Sequence, residues 1–241
     1  MQNAEADAFQ LVVYRSFSPS LVKSLNCEIR YNVFMKNKST RMSPTPESTE
    51  SETLNLRMRL REETKASHRR LDNLMEQRPP LASRENYAWY LNGMLRLYTE
   101  CDSSVQVCQR ATDLPPRAVP LTTLIRSDLA ALQIVTAFED SGMELKVHSH
   151  ESFSKAQDWG RAYVLEGSAM GGKMMAKTAS QRMGAPATHY YLQQLSSDAT
   201  HRWPLFCKAL NQFELDQDVA VEAARGVFEL AYDFFDDSIN S

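Results

Sequence analysis

This chain predicts an all-α fold, and three observations carry the prediction. Apolar residues recur at three- and four-residue steps in successive blocks from Leu54 to Phe235. No run alternates apolar and polar residues as a half-buried strand does, and no Asn-Gly or Asp-Gly hairpin joins two such runs. Helix-stopping residues fall between the periodic blocks, at Pro79-Pro80, Leu114 to Pro120 and Gly184-Ala185-Pro186. Six or seven helices are expected in one domain of moderate size.

Residues 1–52 stand apart. They are rich in Ser, Thr, Asn and Pro, and the run from Ser39 to Thr53 has nothing to bury. An N-terminal disordered extension is expected here, ahead of a helical domain at 53–241. Its basic, serine-rich character resembles a transit peptide, but Glu5, Asp7 and Glu28 argue against one; Met42 is an alternative start.

The first helix is expected from Leu54 to the Pro79-Pro80 stop. Leu56, Leu60, Thr64, Ser67, His68, Leu71 and Met75 share one face, while Arg57, Arg59, Glu62, Glu63, Arg69 and Arg70 lie mostly on the other. Ser83 is an N-cap for a second helix, Glu85 to about Arg110, with Tyr87, Tyr90, Leu91, Met94, Leu97 and Tyr98 as its buried stripe. A third runs from Leu121 to Gln133 on Leu121, Leu124, Ile125, Leu129 and Leu132. The polar stretch 138–152, holding His148 and His150, reads as a loop. A glycine-bearing helix then extends to about Met183. His189 to Leu195 reads as a short aromatic segment, followed by a helix from Thr200 to Asn211 with Pro204 near its first turn. The last helix, Asp216 to about Asp236, buries Val219, Ala223, Val227, Phe228, Ala231, Phe234 and Phe235.

Composition narrows the function classes. Of the 241 residues 43% are hydrophobic and 24% charged, ordinary for a globular protein. A net charge of −3 gives no electrostatic case for nucleic acid as the main partner. No run of eighteen apolar residues is present to span a membrane. Cys27, Cys101, Cys108 and Cys207 are scattered and read as reduced thiols of a cytoplasmic protein.

The stretch Asp158 to Lys177, DWGRAYVLEGSAMGGKMMAK, asks for an explanation. Gly167, Gly171 and Gly172 fall inside one helical pattern, and each interior glycine costs about 1 kcal/mol against alanine. A phosphate loop is one reading, since Gly167 to Lys173 fits G-x-x-x-x-G-K. Met174 stands where a magnesium-binding hydroxyl is needed, however, and there is no parallel sheet to hold the loop. Close helix packing through Gly167 and Gly171 is the second reading. The third is backbone laid almost directly on a flat ligand.

His68 favours the third. It sits on the apolar face of the first helix, where a hydrogen-bonded core role is the alternative. Asp72, one turn on, is placed to accept one ring N–H and set the tautomer, as partners of metal-bound histidines do. Arg61 and Lys65 are near enough for a ligand's carboxylates, or else form a solvated face. A histidine helix paired with a glycine helix suggests a haem sandwich.

LREETKASHRRLDNLM (Leu60 to Met75) resembles the proximal helix of haem oxygenases. GRAYVLEGSAMGGKMMA (Gly160 to Ala176) resembles the distal helix of their bacterial, biliverdin-forming branch, often found beside bacteriophytochromes. LIRSDLAAL and RWPLFCKAL are similar to segments of that branch in the same order, so the resemblance spans about 54–238. It implies a haem-oxygenase-like bundle with haem between proximal and distal helices. His68 would be the axial iron ligand, Arg61, Lys65 and Lys208 would reach the propionates, and Gly167, Gly171 and Gly172 would form the distal kink. Ser168 stands where the animal enzymes carry an aspartate; Ser168, Glu166 through solvent, or backbone groups would order the distal water. The implied reaction opens haem to biliverdin, CO and Fe²⁺, with O₂ and electrons from a ferredoxin or flavin reductase. A phytochrome accepting the bilin is an implied partner. Met170, Met174 and Met175 read as packing residues. A non-enzymatic haem binder, and a helical interaction module or thiamine-degrading relative of the fold, stay open as competing classes.

Overall fold

The structure, a computed structural model, describes residues 55–133, 154–182 and 189–236. The expectations for residues 1–52, for the loop with His148 and His150, and for the stop at Gly184-Ala185-Pro186 lie outside the described residues. Among those described there are seven helices and no strand, the all-α fold that the periodicity predicts. They are α1 (Leu56–Glu63), α2 (Lys65–Gln77), α3 (Arg84–Arg110), α4 (Leu121–Leu132), α5 (Lys155–Arg182), α6 (Tyr190–Leu210) and α7 (Gln217–Asp236). No described helix is long and apolar enough to cross a membrane.

The single first helix expected from the sequence is two. Thr64, at φ −98° and ψ 1°, separates α1 from α2. Its hydroxyl donates to the Leu60 carbonyl at 2.7 Å, a back-bond that competes with regular helix and bends it. The cap of α3 matches expectation, with Ser83 Oγ accepting from Asn86 N–H at 3.1 Å.

The region 189–211 also differs. One helix, α6, runs through what reads in sequence as an aromatic segment and a separate shorter helix. Pro204 is therefore deep inside it rather than in its first turn, on an exposed side where the missing backbone bond faces solvent. The buried face of α6 includes Asp198 and Arg202 among Tyr191, Leu195 and Phe206, and these charges hide its apolar period. Its start is set from a distance. Asp128 of α4, fully buried, accepts from the Tyr190 and Tyr191 N–H groups at 2.9 and 3.0 Å, stabilising the positive end of the helix.

α5 packs on α6, α7 and α3; α3 also meets α4 and α7, and α7 carries α1 and α2. Small residues make the crossings of α5 close. A Cβ on Gly160 would sit 2.0 Å from the Ala220 carbonyl oxygen of α7, and one on Gly172 would sit 2.3 Å from Leu195 of α6. Cys101, Cys108 and Cys207 are free and buried; burial pushes the Cys101 and Cys207 thiols up to about 11, which makes them inert.

Two outcomes follow from this packing. Gly160→Ala must move α5 away from α7 and should destabilise the fold by about 2–3 kcal/mol in denaturant unfolding. Burial raises the Asp128 carboxyl to about 6 against the donors around it. A raised carboxyl favours the fold below its unfolded value of 3.8, and that contribution is lost as pH rises through about 6. The stability of wild type minus Asp128→Asn should therefore fall by up to about 3 kcal/mol between pH 4 and 6.

Candidate functional site

His68 lies on α2 one turn past the Thr64 break, where its N–H bonds the Thr64 carbonyl at 2.9 Å. Its imidazole is half-buried, and Nδ1 is 2.8 Å from Asp72 Oδ2. This is the i, i+4 contact that the sequence spacing allows. A carboxylate at Nδ1 favours a proton on that nitrogen and fixes the ring's orientation. The Phe228 ring of α7 lies 5.6 Å from the imidazole centroid and limits its swing.

The glycines of α5 separate into two kinds. Gly172 is a packing glycine, held against Leu195. Gly171 has nothing within 4 Å of where a Cβ would be, and Gly167 meets only the edge of Trp203, at 3.5 Å. Among the described residues, the tightest packing therefore runs through Gly160 and Gly172 rather than through Gly167 and Gly171. The helix is continuous across all three glycines. Gly171 is exposed, and Gly167 is half-buried with only the Trp203 edge beside it.

Ser168, between them, donates to the Leu165 carbonyl at 2.7 Å and lies 2.9 Å from the Tyr98 hydroxyl of α3. Glu166 points away from this face. It is 1% exposed, and both carboxylate oxygens bond arginines: Arg202 Nε at 2.9 Å from each and Arg117 Nη2 at 2.9 Å from Oε2. The expectation that Glu166 might order water beside the glycines is corrected by this geometry, since its lone pairs are committed elsewhere.

Arg61 and Lys65 are exposed at the junction of α1 and α2, Lys65 within 3.7 Å of Glu62. Burial raises the Tyr163 hydroxyl of α5, while the charges of Arg57 and Arg61 act in the opposite direction. Both arginines of α1 therefore lie close enough to α5 to act on the residue one turn before Gly167. Lys208 is exposed on α6 and forms no ion pair among the described residues. Met170 is exposed, and Met174 and Met175 are half-buried. A cavity of about 230 Å³ between α2 and α7, lined by Arg70, Asn73, Leu74, Gln77, Tyr232 and Asp236, contains none of the expected site residues.

Sequence reasoning placed Tyr98 only in the core stripe and missed Arg57, Tyr163, Trp203 and Arg117. Trp203 and Tyr163 are in contact, ring centroids 5.7 Å apart, which spacing across forty residues does not reveal.

The structure thus places a histidine backed by a carboxylate on α2 and an exposed glycine on α5. The family model for haem oxygenase matches residues 54–237, and the chain belongs to that family. The family implies an oxidoreductase that binds haem as substrate. Among curated proteins none matches the chain. The residues fit this substrate: the donor set includes one half-buried imidazole, His68, and Gly171 opens space that a side chain would fill.

The two kinds of glycine should respond oppositely to alanine in the haem-free protein. Gly171→Ala adds a methyl in open space on a helix and should stabilise by about 0.5–1 kcal/mol. Gly172→Ala should destabilise by about 1–3 kcal/mol through its collision with Leu195. Paired denaturant titrations measure both.

Proposed function

We propose that this chain opens haem oxidatively to biliverdin, CO and Fe²⁺, using O₂ and electrons from a separate ferredoxin or flavin reductase. The observation that carries the reading is the combination of the His68–Asp72 pair on α2 with the bare backbone at Gly167 and Gly171 on α5. The EGSxxGG form of the glycine segment supports the bacterial, biliverdin-forming branch, with a bilin-accepting phytochrome as partner. Buried free thiols are in keeping with a cytoplasmic location.

Haem supplies the iron that activates dioxygen and is itself the molecule oxidised. His68 would hold the iron through Nε2, with Asp72 orienting the ring from Nδ1. Arg61 and Lys65 would hold the propionates by charge-assisted bonds, with Lys208 a weaker third. Gly167 and Gly171 expose backbone and present no side chain to be oxidised. Gly172 contributes by holding α5 against α6. Ser168 has a single proton and gives it to the Leu165 carbonyl, and the N–H groups of the continuous helix are bonded within it, so water is left to supply protons at this face. Residues 53–241 carry the activity, and residues 1–52 are dispensable for haem binding.

Reconstitution with haemin tests this. A Soret band should form, survive deletion of residues 1–52 and be lost or strongly altered in His68→Ala. Ascorbate or reduced ferredoxin should convert it to a bilin spectrum with release of CO. Absence of any band would end the proposal, and a stable band without turnover would leave a haem-binding protein. Gly171→Ala should keep or raise stability yet lower turnover at least tenfold, a separation of stability from activity.

A further inference from the structure

Gly167 lies between two residues tied down on opposite sides of α5. At 100° per residue, positions 166 and 168 point about 200° apart, so their side chains leave the helix in nearly opposite directions. On one side Glu166 enters a buried group of four charges. Arg117 and Arg202 grip its two oxygens. Arg117 Nε also reaches Asp198 Oδ2 at 2.6 Å, whose other oxygen accepts from Gln194 at 2.8 Å. Arg202 donates to the Pro115 carbonyl, closing the link to the segment between α3 and α4. The two arginines and two carboxylates balance, and none of the four side chains is more than 12% exposed.

On the other side, Ser168 gives its one proton to Leu165 O, so in its contact with Tyr98 it is the acceptor. Tyr98 is 2% exposed, and nothing lets its ring move without breaking the α3 core.

A buried ion group gives little net stability compared with apolar packing, but it has direction, and one displaced partner leaves an uncompensated charge. An apolar contact tolerates a small slide or rotation of a helix far better. Around Gly167 the apolar side chains that set height and rotation reduce to Leu165 and the small Ala169. Its neighbours must do the rest.

We propose that Glu166, through Arg117 and Arg202, and Tyr98, through Ser168, are positioning residues that clamp the Gly167 backbone for haem oxidation, and that Ser168 is a latch rather than a proton donor. The clamp rests on the haem oxygenase reading for its purpose, though not for its geometry.

The test uses the full chain with Tyr98→Phe, Ser168→Ala, Ser168→Thr, Arg117→Lys and the double variant Tyr98→Phe/Ser168→Ala. Tyr98→Phe keeps the ring and folds even where the charge variant does not. With haemin bound to wild-type affinity, Tyr98→Phe and Ser168→Ala should each lower kcat about tenfold, the scale of one hydrogen bond, and broaden the mixture of bilin isomers. The double variant should fall no further than either single one, because both break the same bond. Ser168→Thr should restore the rate. In the haem-free protein, amide hydrogen exchange across residues 166–171 should quicken in Tyr98→Phe and in Arg117→Lys. Wild-type kcat and isomer ratio in Tyr98→Phe, or additive losses in the double variant, would overturn the clamp. Unchanged exchange in Tyr98→Phe would overturn it too. Failure of the wild type to take up haem would instead remove the functional reading, and the exchange arm would still judge the clamp.

Discussion

α5 has to satisfy two opposed demands. It must lie close to three other helices, and, for the function proposed above, it must keep a strip of its surface free of side chains. Small residues meet the first demand where Gly160 touches Ala220 and Gly172 touches Leu195. Trp159, against Phe206 and Phe213, and Leu165 interlock on this helix, but the stretch from Gly167 to Gly172 has little of the interlocking that normally sets rotation and height. The buried Glu166, held by Arg117 and Arg202, supplies what the missing side chains would have supplied. Without that anchor, Gly167 and Gly171 would be bare but unplaced.

α7 serves the other half of the site. It packs on α1, α2, α3 and α5, so it is the element that the histidine helix and the glycine helix have in common. Phe228 of α7 faces His68, and Ala220 faces Gly160. α2 and α5 are not themselves among the closely packed pairs. A flat substrate between them is compatible with this arrangement, because the core does not depend on their direct contact. The bend at Thr64 turns α2 relative to α1, and the hydroxyl that makes it lies four residues before His68.

Much of the fold was legible in the sequence because its helices are amphipathic and well punctuated. α3 starts at its serine cap and α4 ends next to Gln133, both within a residue of what periodicity and capping indicate. α6 was not legible. Asp198 and Arg202 occupy its buried face, and a reading that equates charge with solvent breaks the helix there. Their partners, Arg117 and Glu166, are dozens of residues away, beyond the reach of any local pattern. The same distance explains why Glu166 stayed one of several alternatives in sequence, since its position next to Gly167 says nothing about the side of the helix it takes. Within the glycine run, spacing treated Gly167, Gly171 and Gly172 alike. Only the neighbours divide them.

By itself, then, the sequence determined which segments are helical, which histidine has a carboxylate one turn away, and which helix carries the glycines. These are properties of residues a few positions apart, and short-range geometry settles them. The tertiary structure decided which glycine packs and which stays bare, and it turned Glu166 away from the site. It also tied Ser168 to Tyr98 and brought Arg57 and Arg61 into range of Tyr163. Those outcomes depend on how helices cross. Crossing is set by the sum of many buried contacts between distant parts of the chain, and no single stretch encodes it.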